Sequence, residues 1–268
     1  MVSLALVVAS CGGSPDVFPA VVSAPGSIGV GTQRVLVNLV DQRVQQPAAS
    51  PDLEAVVVLR DENGAPLGEY PTEFVYTVPG VRGLYAAYVE IPAPGVYQIT
   101  VKTSEFGETP PTGFISVEDP VVVSVGDPAP RSQTRTSADF EISEISSDPD
   151  PEPSFYGMSL ADAIAAGPTV VVFATPAFCS SEACGPLLDL IQEIAPGYPG
   201  VNFVHVEVYE DLGVESIDQL RLVEPVREWG LPSEPWVFVI DGRGVVSAAF
   251  EGTASTEELT RAITAVAP

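Results

Sequence analysis

Residues 169–190 read Thr-Val-Val-Val-Phe-Ala-Thr-Pro-Ala-Phe-Cys-Ser-Ser-Glu-Ala-Cys-Gly-Pro-Leu-Leu-Asp-Leu. Val170, Val171, Val172 and Phe173 form a short apolar run rich in β-branching, the pattern of a strand buried on both faces. Thr175 and Pro176 make a turn, and Cys179 and Cys184 follow it. Leu187, Leu188, Ile191 and Ile194 then recur at helical spacing and share one face. A buried strand therefore delivers two cysteines to the start of a helix. There the helix dipole and free N–H groups stabilise a thiolate.

Downstream, Trp229-Gly230-Leu231-Pro232-Ser233-Glu234-Pro235-Trp236 runs into Val237-Phe238-Val239-Ile240 and an Asp241-Gly242 turn. Together with the cysteine stretch, this segment resembles the thioredoxin superfamily, over roughly the last 115 residues. The resemblance implies a thioredoxin-like α/β fold for residues 154–268, a mixed sheet with helices on both faces. It also implies a redox-active Cys179–Cys184 pair, a cis proline at Pro235, and a substrate groove formed by Phe178, Glu234, Pro235 and Trp236. Two departures stand out. Four residues separate the cysteines where the family has two, and no acid occupies Val170 to Ala174, where thioredoxins carry a buried Asp.

The wider spacing leaves the roles of the cysteines open. By distance from the strand, Cys179 takes the place of the attacking cysteine, and by the following Gly185-Pro186, Cys184 does. Proline is comfortable only in a helix's first turn, which favours a helix starting at Cys184 with Cys179 in the loop ahead. A carboxylate at Glu182 beside the thiols raises their pKa by like-charge repulsion. A structural disulfide without turnover, in a binding or scaffolding protein, is the competing reading. A ring this small stabilises by only about 2 kcal/mol on chain-entropy grounds, which suits either.

The rest of the C-terminal half follows the same plan. Ser159 caps a helix stopped by Gly167-Pro168, a strand is predicted over 201–208, a helix over about 216–229, and Ser255 with Glu258 makes a capping box for a last helix. His205, the only histidine, lies mid-strand. A copper site like that of Sco-type chaperones would need closer cysteines and a later histidine, so His205 reads as structural, and no metal or other cofactor is predicted. A peroxiredoxin would need Thr-x-x-Cys, and Thr175 to Cys179 is one residue too long.

Residues 28–125 look all-β. About six strands appear, near 34–39, 54–59, 73–77, 83–91, 96–103 and 113–117, with an Asn63-Gly64 turn after the second. Pro94-Gly95-Val96-Tyr97 resembles the tyrosine corner of immunoglobulin-like sandwiches, and that resemblance implies such a sandwich here, serving as a spacer or docking module. Two domains are expected, an immunoglobulin-like sandwich and a thioredoxin-like α/β domain. Between them, residues 126–153 open with Gly126-Asp127-Pro128-Ala129-Pro130, similar to the lead-in of exported thioredoxin-like domains. They continue as an acidic, proline-rich linker expected to be extended and poorly packed.

At the N-terminus, Val8-Ala9-Ser10-Cys11 with Gly12-Gly13 resembles a bacterial lipobox. It implies a signal over 1–11, lipidation of Cys11, a tether over 12–27 and an exported, membrane-anchored, extracytoplasmic protein in which a disulfide persists. Acidic residues number 36 against 11 basic, for a net charge of −25. A nucleic acid would be repelled by such a surface. The expected partners are protein thiols or disulfides, a redox partner and the membrane. The function expected is a membrane-tethered thiol-disulfide oxidoreductase.

Overall fold

A computed structural model describes residues 17–214 and 219–268. The predicted signal, with Cys11 and the first part of the tether, lies outside the described residues. Nine strands come first: β1 (Val17–Val21), β2 (Gly31–Asp41), β3 (Gln46–Pro47), β4 (Ala55–Arg60), β5 (Pro66–Val78), β6 (Arg82–Ile91), β7 (Gly95–Thr103), β8 (Gly107–Glu108) and β9 (Thr112–Ser116). Their order is β1-β2-β6-β5-β4-β7-β8, with β3 on β2 and β9 on β7. Strand β5 turns the corner. Gly68 to Pro71 pair with β4, whereas Thr72 to Val78 pair with β6, and the sheet folds back on itself.

The inward residues alternate as a strand period requires: Val35, Val37 and Leu39 of β2 meet Val57 and Leu59 of β4, Val89 of β6, and Ile99 and Val101 of β7. The Tyr97 hydroxyl donates to the Ala93 carbonyl at 2.7 Å, closing the tyrosine corner. This part of the chain is immunoglobulin-like. Strand β1 lies within the predicted tether, where Pro19 interrupts its pattern. An edge strand tolerates that proline, and Val17 is buried against the core.

After the sandwich come α1 (Ile142–Ile145), a 3-10 turn (Pro153–Tyr156), α2 (Leu160–Ala166), β10 (Thr169–Ala174), α3 (Cys184–Ile194), β11 (Asn202–Glu207), α4 (Glu224–Glu228), β12 (Trp236–Ile240), β13 (Val246–Glu251) and α5 (Thr256–Val266). The second sheet has the order β11-β10-β12-β13, with only β10 and β11 parallel. Strand β10 is buried on both sides. Val170, Val172 and Ala174 pack with Leu187, Leu188 and Ile191 of α3 and Leu259 and Ile263 of α5. Val171 and Phe173 face Leu160 and Ile164 of α2, with Trp229.

The expected fold class, an immunoglobulin-like sandwich followed by an α/β thioredoxin-like domain with helices on both faces of a mixed sheet, is corrected. The described residues are mostly β, with 36% strand and 19% helix. Its helices run from 4 to 11 residues. The helix predicted over 216–229 shows why. Among the described residues only Glu224–Glu228 are α-helical there, because Pro225 fits only a first turn. Upstream, the backbone pairs with the end of β11 instead: Glu210 N–H donates to the Arg221 carbonyl and Val223 N–H to the Val208 carbonyl.

Residues 126–153 are anchored, against the expectation of a poorly packed segment. Gly126 N–H donates to the Val246 carbonyl, and Ala129 N–H to the Gly244 carbonyl. Trp229 Nε1–H donates to Ser132 Oγ, which also bonds the Glu228 carboxylate. The two sheets are joined directly as well. Arg34 of β2 makes a paired contact with Glu258 of α5, at 2.7 and 2.8 Å, and the Tyr88 hydroxyl donates to the same carboxylate. Gly230, at φ +65, passes so close to Val121 that a Cβ would lie 1.7 Å from its carbonyl oxygen.

Candidate disulfide site

Strand β10 ends at Ala174, and Thr175 to Ala183 form the loop into α3. Phe178 N–H donates to the Thr175 carbonyl and Glu182 N–H to the Cys179 carbonyl, two successive tight turns. Glu182 takes a φ of +58, in the left-handed region that a side chain disfavours. Helix α3 begins at Cys184, and Pro186 falls in its first turn where no N–H is needed. Cys179 and Cys184 form a disulfide across 6.0 Å between their Cα atoms.

The two sulfurs are not equivalent. Cys184 is fully buried, in the core with Leu187 and Leu188, while Cys179 is half-buried at the rim. The Cys184 N–H donates to Cys179 Sγ at 3.3 Å, and Ser181 Oγ lies 3.2 Å from the same sulfur. A thiolate on Cys179 would inherit both donors, together with the positive end of an eleven-residue helix.

Around the disulfide stand carboxylates. Ala177 N–H donates to Ser147 Oγ, and Ser147 N–H donates to the buried Glu207 carboxylate at 2.9 Å. Glu234 is half-buried, and burial, then the Glu207 charge, push its carboxyl above the usual range. Tyr209, edge-on to Phe178 at 6.3 Å, is raised by burial and then by Glu234 and Glu207. Asp148, Asp150, Asp189 and Glu193 line a cleft beside Ala177 and Gly185. Burial, followed by Asp148, Glu193 and Asp150, raises Asp189.

The Glu234–Pro235 bond is cis. Trp236 pairs in register with Phe173, so Pro235 sits alongside Ala174, at the edge where β10 gives way to the cysteine loop. Pro235 and Trp236 are buried, with the Trp236 ring stacked on Phe238 and its N–H donating to Ser233 Oγ. Of the residues assigned to a groove, Phe178 and Glu234 keep exposed surface.

His205 is buried behind this edge. Its Nε2–H donates to the Ala174 carbonyl at 3.1 Å, so Nδ1 is the acceptor, 2.8 Å from the Tyr156 hydroxyl. Burial holds its pKa down, against the pull of Glu207 and Asp148. No cluster of three or more His, Cys, Asp or Glu residues suited to a metal occurs among the described residues. No helix among them is long and apolar enough to cross a membrane.

Sequence reasoning missed Tyr156, Ser181 and Arg82, whose guanidinium donates to the Ser181 carbonyl, as neighbours of the site. Ser181 was within reach, lying between the cysteines, but Arg82 comes from a strand a hundred residues earlier and carries no local signal.

No family model matches the chain, and no curated protein matches it. Among solved structures, the Lin-41 filamin domain is similar at 14% identity over 40% of this chain and 96% of its own, with a TM-score of 0.24. The TIG domain of human nuclear factor of activated T-cells, cytoplasmic 4, is similar at 15% identity over 37% and 87%, with a TM-score of 0.25. Neither value supports an argument about this chain, whose immunoglobulin-like part is defined by its own strands and corner.

Proposed function

We propose that the chain is a thiol-disulfide oxidoreductase working outside the cytoplasm, tethered to a membrane through a lipid on Cys11. The observation that carries the reading is the asymmetry of the disulfide: Cys179 is half-buried in the loop ahead of α3, and Cys184 is fully buried at the start of that helix. A substrate thiolate attacks Cys179 Sγ, the Cys179–Cys184 bond breaks, and Cys184 leaves as a thiolate. A second substrate thiolate then attacks the substrate sulfur of the mixed disulfide and releases Cys179. The substrate loses two electrons and the protein gains them; another protein or small-molecule disulfide reoxidises the pair. Run backwards, the same steps reduce a substrate.

Cys179 is thus the attacking cysteine and Cys184 the resolving one, with Phe178 and Glu234 as the exposed rim. The lipobox-like Val8-Ala9-Ser10-Cys11 supports the tether, and one acyl chain alone would bind only marginally. The test is oxidation of a peptide carrying two cysteines by the oxidised protein. Wild type should convert it to the disulfide with matching loss of the Cys179–Cys184 bond, and Cys179→Ser should not. Equal rates with and without the protein would leave the bond a structural staple.

A further inference from the structure

The hairpin between β5 and β6 carries a cation to the cysteine loop. Arg82, the first residue of β6, donates through Nη2 to the Ser181 carbonyl at 2.8 Å and to the Glu182 carboxylate at 2.6 Å. Both contacts fall between the two cysteines. Ser181 in turn places its Oγ beside Cys179 Sγ, and Glu182 is the residue at positive φ. An exposed ion pair adds little stability by itself. What this one fixes is position and charge.

We propose that Arg82 is a positioning residue for the disulfide, holding the 180–183 loop so that Ser181 faces Cys179 and countering the carboxylate of Glu182, which lies between the two cysteines in the chain. The inference rests on Cys179 being the exchanging cysteine. The other charged or titratable groups around the loop are Glu182 itself, Asp189 and Glu193 on α3, Asp148 and Asp150 across the cleft, and Glu207, Tyr209 and Glu234 at the strand ends. All of these are acids, and the one histidine nearby, His205 behind the end of β10, has its pKa lowered by burial. Without the Arg82 guanidinium, a thiolate at Cys179 would face carboxylates with no cation among these groups to balance them, which disfavours it. The sandwich is then part of the redox unit rather than a spacer, since it supplies the cation.

The test uses the reduced full chain and iodoacetamide, with alkylation of Cys179 followed by mass spectrometry across a range of pH. Arg82→Gln should raise the midpoint for Cys179 by about half to one pH unit and slow its alkylation near pH 7 about three- to tenfold. Arg82→Lys should restore most of the shift, and Glu182→Gln should lower the midpoint. The double variant should lie near wild type. An unchanged midpoint in Arg82→Gln, or a Glu182→Gln midpoint that rises or stays put, would overturn the proposal. Because Glu182→Gln acts from the other partner, it decides the matter even if Arg82→Gln does not fold. These midpoints need no substrate, so a failure to oxidise the two-cysteine peptide would remove the oxidoreductase reading while leaving them to stand or fall separately.

Discussion

His205 is the one histidine of the chain, and the fold keeps it neutral by burial, with both ring nitrogens occupied. Its pKa is lowered from 6.5, so the unfolded chain binds a proton there that the native state does not. The stability it contributes is present above about pH 6.5 and is lost as pH falls toward the depressed native value, at no more than about 1.4 kcal/mol per pH unit. Glu234 and Glu251, both raised by burial, act with the opposite sign: their contribution is present at low pH and lost as pH rises through their native values. Comparison with His205→Gln separates the two. Between about pH 7 and 5.5, the wild-type Tm should change less favourably than that of the variant. Parallel changes would show that His205 is not held neutral.

At the scale of elements, the sequence announced what is periodic and local. The Val170–Phe173 run, Pro186 in the first turn of α3, the Ser255–Glu258 capping box and the Pro94–Tyr97 corner all appear at their places, because each depends on residues a few positions apart. Elements set by distant pairing did not show. Strand β1 exists because β2 offers it an edge, and residues 221–223 are drawn alongside 208–210 by backbone hydrogen bonds. The helix predicted over 216–229 failed for that reason, and the predicted α/β thioredoxin-like domain failed with the shortness of its helices. At the site, the two cysteines were legible from their place between a buried strand and a helix start. Arg82, Tyr156 and Ser147 were not, since only the folded chain brings them there.

Across the whole molecule, the two sheets are tied by a pair taken almost wholly out of water. The Arg34 and Glu258 side chains are 6% and 1% exposed. Burial raises the Glu258 carboxyl, but the Arg34 hydrogen bond and charge, with Ser255 N–H and the Tyr88 hydroxyl, outweigh it and hold the carboxyl low. Removing one partner strands a buried charge, so Arg34→Met should cost about 3–5 kcal/mol in denaturant unfolding, and Arg34→Met with Glu258→Leu considerably less. A loss below about 1 kcal/mol for the single variant would mean that the sheets hold together without this pair. Fixing the sheets also fixes Arg82 against the cysteine loop, and the central claim is that the disulfide there exchanges. The most direct measurement is the reduction potential of the Cys179–Cys184 pair, by equilibration of the full chain with a glutathione buffer. An exchanging pair should lie within the range of known thiol-disulfide oxidoreductases, about −270 to −120 mV, and a value well below about −300 mV would mark a structural bond and contradict the claim.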